Sequence, residues 1–435
     1  MEIFRGAIGL FLLLAIGYGF SSNRKAVSWR IVLTGISLQI ILGFSIFKVG
    51  FIHEGFSWLS GMFVKFLDFA RQGAVFLFGG LSVNSNTDAT AGHQLGFMFA
   101  FQSLPVVIFF SAFTAGLYYL GILQRIVYGF AWVMVRTMKL SGSESLSASA
   151  NIFMGQTEAP LLVKPYIKTM TSSELFCLMT GGMATLAGSV LAVYVGMLGG
   201  SDATERANFA TYLMCASIMN APAAIVMSKL MMPETEFEKI DHKLKFNQEQ
   251  MGVNLMDALV NGVGDGIKLA LNIAGMLLAF IALILAFNWM LSGIGQLAGL
   301  NEFIARTSNG AYAGLGLEYI LGQVFRVFAF MMGIDWQESL QVGSLLGKKM
   351  VLNEFLAYSD LSSYKAGGLL SERAILISTF ALSGFANFSS VAIQIGGIGS
   401  MAENRKSDLS KMGIRAMIAA FLATMMSATI AGAIF

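Results

Sequence analysis

Within an otherwise apolar chain, the stretch NIFMGQTEAPLL, Asn151 to Leu162, gathers a carboxylate, two side-chain amides, a hydroxyl, a glycine and a proline. A second polar group follows in NEFLAYS, with Asn353 and Glu354, and a third in GFANFSS, with Asn387, Ser389 and Ser390. An acid at the centre of a membrane helix costs about 2.5 to 3.5 kcal/mol on the insertion scale, so Glu158 and Glu354 require a partner or water. A cavity supplies that reason. With Gln156, Thr157 and Thr185, the set offers donors and acceptors for a neutral, polyhydroxylated or amide-bearing ligand. Few fixed cations lie near it in the sequence, whereas a phosphate or dicarboxylate would call for arginine forks or lysines. The expected substrate is therefore neutral or cationic, and Phe385 offers a ring face to a planar group. A sodium ion prefers oxygen ligands. The side chains of Asn151 and Thr185, with backbone carbonyls freed at Met154 and Leu186, form a candidate sodium site.

Other readings stand beside these. Asn387 and Ser390 also suit interhelical glue, and Gly181, Gly182, Gly396 and Gly397 suit close packing better than ligation. Glu158 and Glu354 each fit a structural ion pair. The two acids would also permit an intramembrane acid–base enzyme, although no nucleophile, metal cluster or phosphate loop accompanies them. A channel is a further alternative, which uptake against a gradient would exclude.

The elements that must position these residues are membrane helices. Hydrophobic residues make up 56% of the 435-residue chain and charged residues only 12%, about half the charged share of a soluble protein. Apolar runs of about 20 residues, enough to cross a bilayer as helix, recur at 3 to 20, 31 to 50, 96 to 121, 174 to 198, 209 to 231, 268 to 292, 372 to 397 and 411 to 434. The first run, IFRGAIGLFLLLAIGYGF, lacks a small-residue cleavage site and reads as a span, not a leader. Basic residues cluster in SSNRKAVSWR, from Arg125 to Lys139, from Glu234 to Gln250, and in ENRKSDLSK. The positive-inside rule puts those clusters on the cytoplasmic side and both termini outside. The net charge of +3 is thus a topology signal and not a nucleic-acid footprint. Cys177 and Cys215 suggest packing, and His53, His93 and His242 lack zinc-site spacing. The loop from Met231 to Phe246 reads as a solvated connection.

Three stretches remain. Residues 56 to 70 have the apolar spacing of a helix lying along the interface. Residues 142 to 168 and 336 to 365 are apolar but interrupted, and each begins and ends on one side, as re-entrant hairpins do. Non-helical backbone at membrane depth requires surrounding protein or a watery cavity. ANIFMGQTEAP echoes LNEFLAYS, and GMATLAGS echoes GFANFSS, in the same order and in halves of opposite orientation. The expected fold is an all-α polytopic membrane protein with about eight spans, two re-entrant hairpins, interfacial helices and inverted repeats, the architecture of secondary transporters.

Together GQTEAPLLVKPY, NEF with its following AYS, GFANFSS, SSNRK, LFGG at Leu77 and MMPETE at Met231 resemble the signature segments of the concentrative nucleoside transporters over nearly the whole chain. The resemblance implies a homotrimer of eight-helix subunits in the bacterial inner membrane, with a scaffold and a transport domain that moves as an elevator. The scaffold would comprise 1–121 and 232–335, the transport repeats 122–231 and 336–410, and the last span 411–435. It further implies that Gln156 and Glu158 face a nucleobase, with Thr157 and Val190 nearby. Glu354, Asn387 and Ser390 would hold the ribose, with Phe385 lining the pocket. Sodium, the implied coupling ion, would be held by Asn151, Met154, Thr185 and Leu186. Proton-coupled relatives tend to lack the asparagine, so Asn151 favours sodium symport of nucleosides such as uridine over proton symport.

Overall fold

The computed structural model describes residues 2–82, 98–200, 202–241, 252–308 and 310–435, and every regular element among them is helical. His93, His242 and much of the loop to Gln250 lie outside the described residues. The chain enters through α1 (Glu2–Gly19), α2 (Trp29–Lys48) and α3 (Gly50–Phe78). After α4 (Phe99–Gln102) come α5 (Leu104–Tyr119) and α6 (Ile122–Met138). The first hairpin follows as α7 (Gly142–Ala150), a turn-rich tip, and two short returning helices, α8 (Ala159–Leu162) and α9 (Lys164–Ile167). A broken span, α10 (Ser172–Ala184) and α11 (Gly188–Gly199), leads into α12 (Ala203–Met231). The long α13 (Leu255–Leu297) precedes α14 (Leu300–Thr307) and α15 (Leu317–Met331). The second hairpin is α16 (Ser339–Val351) and α17 (Glu354–Ala366). A second broken span, α18 (Glu372–Leu382) and α19 (Phe388–Met401), leads into the final α20 (Lys406–Ile434).

Six of these stretches are long and apolar enough to cross a membrane, and at two further expected spans lie the shorter apolar helices Ile3–Gly19 and Phe388–Met401. The reading of 268 to 292 caught only part of α13, whose 43 residues give a rod of about 65 Å at 1.5 Å per residue. Asp257, Asp265 and Lys268 mask its beginning, which Asn254 marks by accepting a cap bond from Asp257 N at 2.9 Å. Gly262 and Gly266 let α5 lie close against it: a Cβ there would stand 2.8 Å from Ala112 Cα and 2.7 Å from Ile108 Cα, the small-residue packing of membrane helices. The amphipathic stretch at 56 to 70 is the middle of the 29-residue α3. It crosses the first turns of α12, where Thr211 Oγ1 donates to Ser60 Oγ at 2.8 Å and Arg206 pairs with Asp68 at 2.8 Å.

The hairpins enter from opposite ends. Gly142 N at the base of the first donates to Asp241 O, just beyond α12, and the end of α1 meets the same region through Ser22 N and Met231 O, both at 2.8 Å. At the base of the second, Asp335 pairs with Arg5, near the start of α1, at 3.0 Å. Asn353 and Gly384 also follow Asn151 and Gly182 at one and the same interval, so both hairpin tips and both helix breaks coincide in the repeat. The first return arm is fragmented because Pro160 and Pro165 supply no backbone N–H. The second, free of proline, is one helix.

The Met231 to Phe246 connection is not wholly solvated. Glu234 is buried, accepts from Thr171 Oγ1 at 2.7 Å, and flanks the buried Lys229–Glu144 pair beneath the first hairpin. Thr171 and Glu174 close a reciprocal capping box that starts α10 beside it. Both cysteines are buried and free.

Candidate functional site at the hairpin tips

Both broken spans stop where the chain needs free polar backbone at depth. α10 ends at Thr185 and α11 restarts after Ala187, both in extended backbone. α18 ends before Ser383, and Asn387 restarts α19 by capping it, its Oδ1 accepting from Ser390 N at 2.8 Å and from Ser389 Oγ at 2.7 Å. The two breaks touch. Gly384 has a φ of +151°, and a Cβ there would lie 2.7 Å from Ala184 O, so glycine is required for both conformation and approach. From α12, Asn220 Nδ2 donates to Ser383 O at 2.7 Å and Ser383 Oγ at 2.9 Å, bracing the second break.

The hairpin tips fold onto these breaks. Gln156 Nε2 donates to Ser390 Oγ at 3.0 Å, joining the first tip to the second broken span. Asn387 Nδ2 donates to Glu354 Oε2 at 2.9 Å, joining that span to the second tip. Thr157 is exposed, and its methyl lies 3.7 Å from where a Cβ on Gly397 would stand. Glu158, half-buried, folds back to accept from Gly155 N at 3.2 Å. Val190 and Phe385 are buried apolar residues on the two broken spans. Asn353 caps α17, its Oδ1 accepting from Leu356 N at 3.0 Å.

Among the described residues neither Glu158 nor Glu354 forms an ion pair, so the structural-pair alternative does not hold for either. The glycine reading holds for Gly181 and Gly182, whose Cβ positions would lie 3.3 Å from Asn151 Nδ2 and 2.4 Å from Gln394 Nε2. It does not hold for Gly396, which has nothing within 4 Å.

The sodium candidates gather at the first break. Asn151 is 1% exposed, and both its Oδ1 and Nδ2 are buried without a hydrogen-bond partner. Such orphaned amide atoms cost about 1 to 3 kcal/mol each unless a ligand or water meets them. Thr185, also buried, donates through Oγ1 to Gly181 O at 2.9 Å, which leaves its oxygen lone pairs free to ligate. Met154 and Leu186 are buried in the two non-helical segments alongside. An oxygen-rich, anion-free donor set of this kind fits a monovalent hard cation.

Three participants escaped the sequence reading. Tyr194 Oη donates to Glu354 Oε1 at 3.2 Å; it stands one turn beyond Val190 on α11, and that i, i+4 spacing was its only signal. Gln394 stands one turn beyond Ser390 on α19 and donates to Gln156 Oε1 at 3.2 Å. Lys349 is a lysine that the inventory lacked. It is fully buried on α16, with Nζ donating to Ala381 O at 2.7 Å and Thr424 Oγ1 at 2.8 Å. Those bonds tie its Nζ to α18 and α20.

Three family models match the chain: the N-terminus of the Na+ dependent nucleoside transporters over residues 8–81, "Nucleoside recognition" over 100–201, and the C-terminus of the Na+ dependent nucleoside transporters over 212–432. An uncharacterized transporter of Haemophilus influenzae is 40% identical over 99% of this chain and 98% of its own. The human sodium/nucleoside cotransporter 1 is 37% identical over 98% of this chain, which spans 63% of that longer protein. Among solved structures, CNTnw in an inward-facing substrate-bound state superposes with a TM-score of 0.88 at 37% identity, covering 100% of this chain and 98% of that one.

Proposed function

This chain belongs to the Na+ dependent nucleoside transporter family, and from that premise we propose that it is a sodium symporter that imports nucleosides such as uridine. The observation that carries the reading is the convergence of both hairpin tips on both broken spans through Gln156–Ser390 and Glu354–Asn387, with the orphaned Asn151 amide five residues from Gln156. A substrate that bonds Gln156, Thr157 and Glu158 through its base and Glu354, Asn387 and Ser390 through its ribose bridges the two hairpins. Val190 and Phe385 bound the base apolarly. Sodium at Asn151, Thr185 and the carbonyls of Met154 and Leu186 orders the tip that presents Gln156, so each ligand favours the other; linkage makes that coupling reciprocal.

The hairpins and broken spans, 122–231 and 336–410, then travel as one unit against a scaffold drawn from 1–121 and 232–335, with the protein assembled as a homotrimer in a bacterial inner membrane. The same inverted repeats provide the two faces such alternating access needs. The acid–base enzyme alternative falls with the family, which is one of transporters, and with the two carboxylates being held by separate partners.

The test is uptake of labelled uridine into proteoliposomes under a sodium gradient, repeated with potassium and with a proton gradient. Accumulation above the outside concentration with sodium alone is the expected result. Equal uptake driven by protons would assign proton coupling instead, and mere equilibration would assign a channel.

A further inference from the structure

Gln394 on α19 is 1% exposed, and no chemistry has yet been assigned to it. Its Nε2 lies 3.2 Å from Met179 O and 3.2 Å from Gln156 Oε1. Met179 O is a backbone carbonyl in the middle of α10; it only accepts, and it cannot turn over. It therefore dictates that the NH2 end of the Gln394 amide faces it. That same NH2 meets Gln156, which must answer with its oxygen and present its own NH2 on the other side, where one N–H reaches Ser390 Oγ at 3.0 Å. A fixed polarity thus runs from main chain through two amides to the hairpin tip. Gly182 makes room for it, since a Cβ there would stand 2.4 Å from Gln394 Nε2. The far atom, Gln394 Oε1, is buried without a partner, so the amide is held at one end only, by its donor.

An unheld Gln156 amide could present either end to a ligand, because the two differ little in shape. The held one offers a donor. Two residues along the same tip, Glu158 is an acceptor when ionised, with one oxygen on Gly155 N. A donor beside an acceptor matches a base edge that carries a carbonyl oxygen beside a ring N–H, as in uracil, hypoxanthine and guanine. Cytosine and adenine show the reverse, a ring nitrogen that accepts beside an amino group that donates.

We propose that Gln394 is a positioning residue that locks the Gln156 amide with its NH2 toward the substrate, so that the site selects nucleosides whose base carries this lactam edge. The inference rests on the reading that Gln156 and Glu158 meet the base. One net hydrogen bond exchanged for an unpaired buried group corresponds to about a tenfold preference.

The experiment measures KM and maximal rate for uridine, inosine, cytidine and adenosine in proteoliposomes holding the full chain under a sodium gradient. Uridine and inosine should show KM values about tenfold below those of cytidine and adenosine. In Gln394→Leu the four should converge to within about twofold, chiefly through KM, because a freed Gln156 can turn to suit either edge; a merely space-filling role would lower all four rates together and leave their ratios alone. Gln394→Met, of similar length, serves where the leucine variant fails to accumulate, and the wild-type ranking stands without either. A wild type that favours cytidine or adenosine, or a variant that keeps the wild-type ratios, overturns the proposal. Uptake of none of the four overturns the transport reading and this inference with it, whereas uptake of all four without ranking overturns the inference alone.

Discussion

Asn151 and Asn353 occupy matching places at the tips of the two hairpins, yet their side chains meet opposite fates. Asn353 Oδ1 caps α17 through Leu356 N at 3.0 Å, whereas both polar atoms of Asn151 are buried and unpartnered. One turn before each asparagine the contrast repeats. The first hairpin has Ser147, whose hydroxyl is spent on Glu144 O of its own helix at 3.0 Å. The second has Lys349, which carries its amino group to the end of α18 and donates to Ala381 O. The C-terminal end of a half-helix attracts cations. In the second repeat the lysine's own amino group fills that end; in the first the chain supplies only oxygen ligands, which under the proposed reading would take a sodium ion. Under the proposed reading the duplicated frame has diverged: the first half would take the ion and meet the base, and the second would hold the ribose.

The comparison breaks most visibly at Glu354. Its carboxylate accepts from Tyr194 Oη and Asn387 Nδ2 and sits where the second half would grip ribose hydroxyls. Glu354→Ala removes an acceptor shared by two buried donors, and uridine uptake should fall by about 100-fold or more. Near-normal uptake by a correctly assembled variant would remove Glu354 from the site.

Swapping each tip asparagine for leucine tests the contrast directly. Asn151→Leu replaces two orphaned buried atoms with apolar ones of similar volume, so the sodium-free protein should hold its thermal midpoint or gain, while the extra stability conferred by sodium vanishes. Asn353→Leu removes a helix cap worth about 1 kcal/mol and should lower the midpoint with or without sodium. The idea that the first tip asparagine serves an ion and the second only caps its helix fails if the two variants behave alike. Lys349→Met should cost about 1 to 3 kcal/mol by unpairing Ala381 O, read as a lower midpoint, while the sodium response stays intact.

Much of this was legible in the sequence because membrane burial makes polarity conspicuous. The eight apolar runs, the interruptions in NIFMGQTEAPLL and GFANFSS, and the Asn-x-Phe echo located the spans, the tips and the repeat. What stayed hidden was partnership across distance. Gln394 reads as one polar residue in an apolar span, and only the folded chain shows that it meets Gln156 and Met179. Lys349 stands in GKKMVLNEF beside Lys348, and nothing local says that one lysine is buried against Thr424 while its neighbour pairs with Glu318 and Asp360. Helix lengths were misjudged where charge fell on one face of a long helix, as in α3 and α13, since a hydropathy window averages over both faces.

The smallest expected effect concerns Tyr194, and it separates the two carboxylates most cleanly. Glu158 takes its bond from backbone, Gly155 N, which no side-chain substitution removes. Glu354 depends on two side chains, one of them the Tyr194 hydroxyl at 3.2 Å. That ring also stacks on Tyr358 with centroids 4.0 Å apart, so Tyr194→Phe keeps the packing and deletes only the donor. A neutral hydrogen bond is worth about 1 kcal/mol net, and one to a charged group somewhat more, so KM should rise about fivefold to tenfold with maximal rate little changed. With Glu354 on the ribose, as proposed, the rise should be the same for uridine, inosine, cytidine and adenosine. A rise confined to one class of base would place Tyr194 and Glu354 with the base-reading tip, and the division of labour between the hairpins would have to be redrawn.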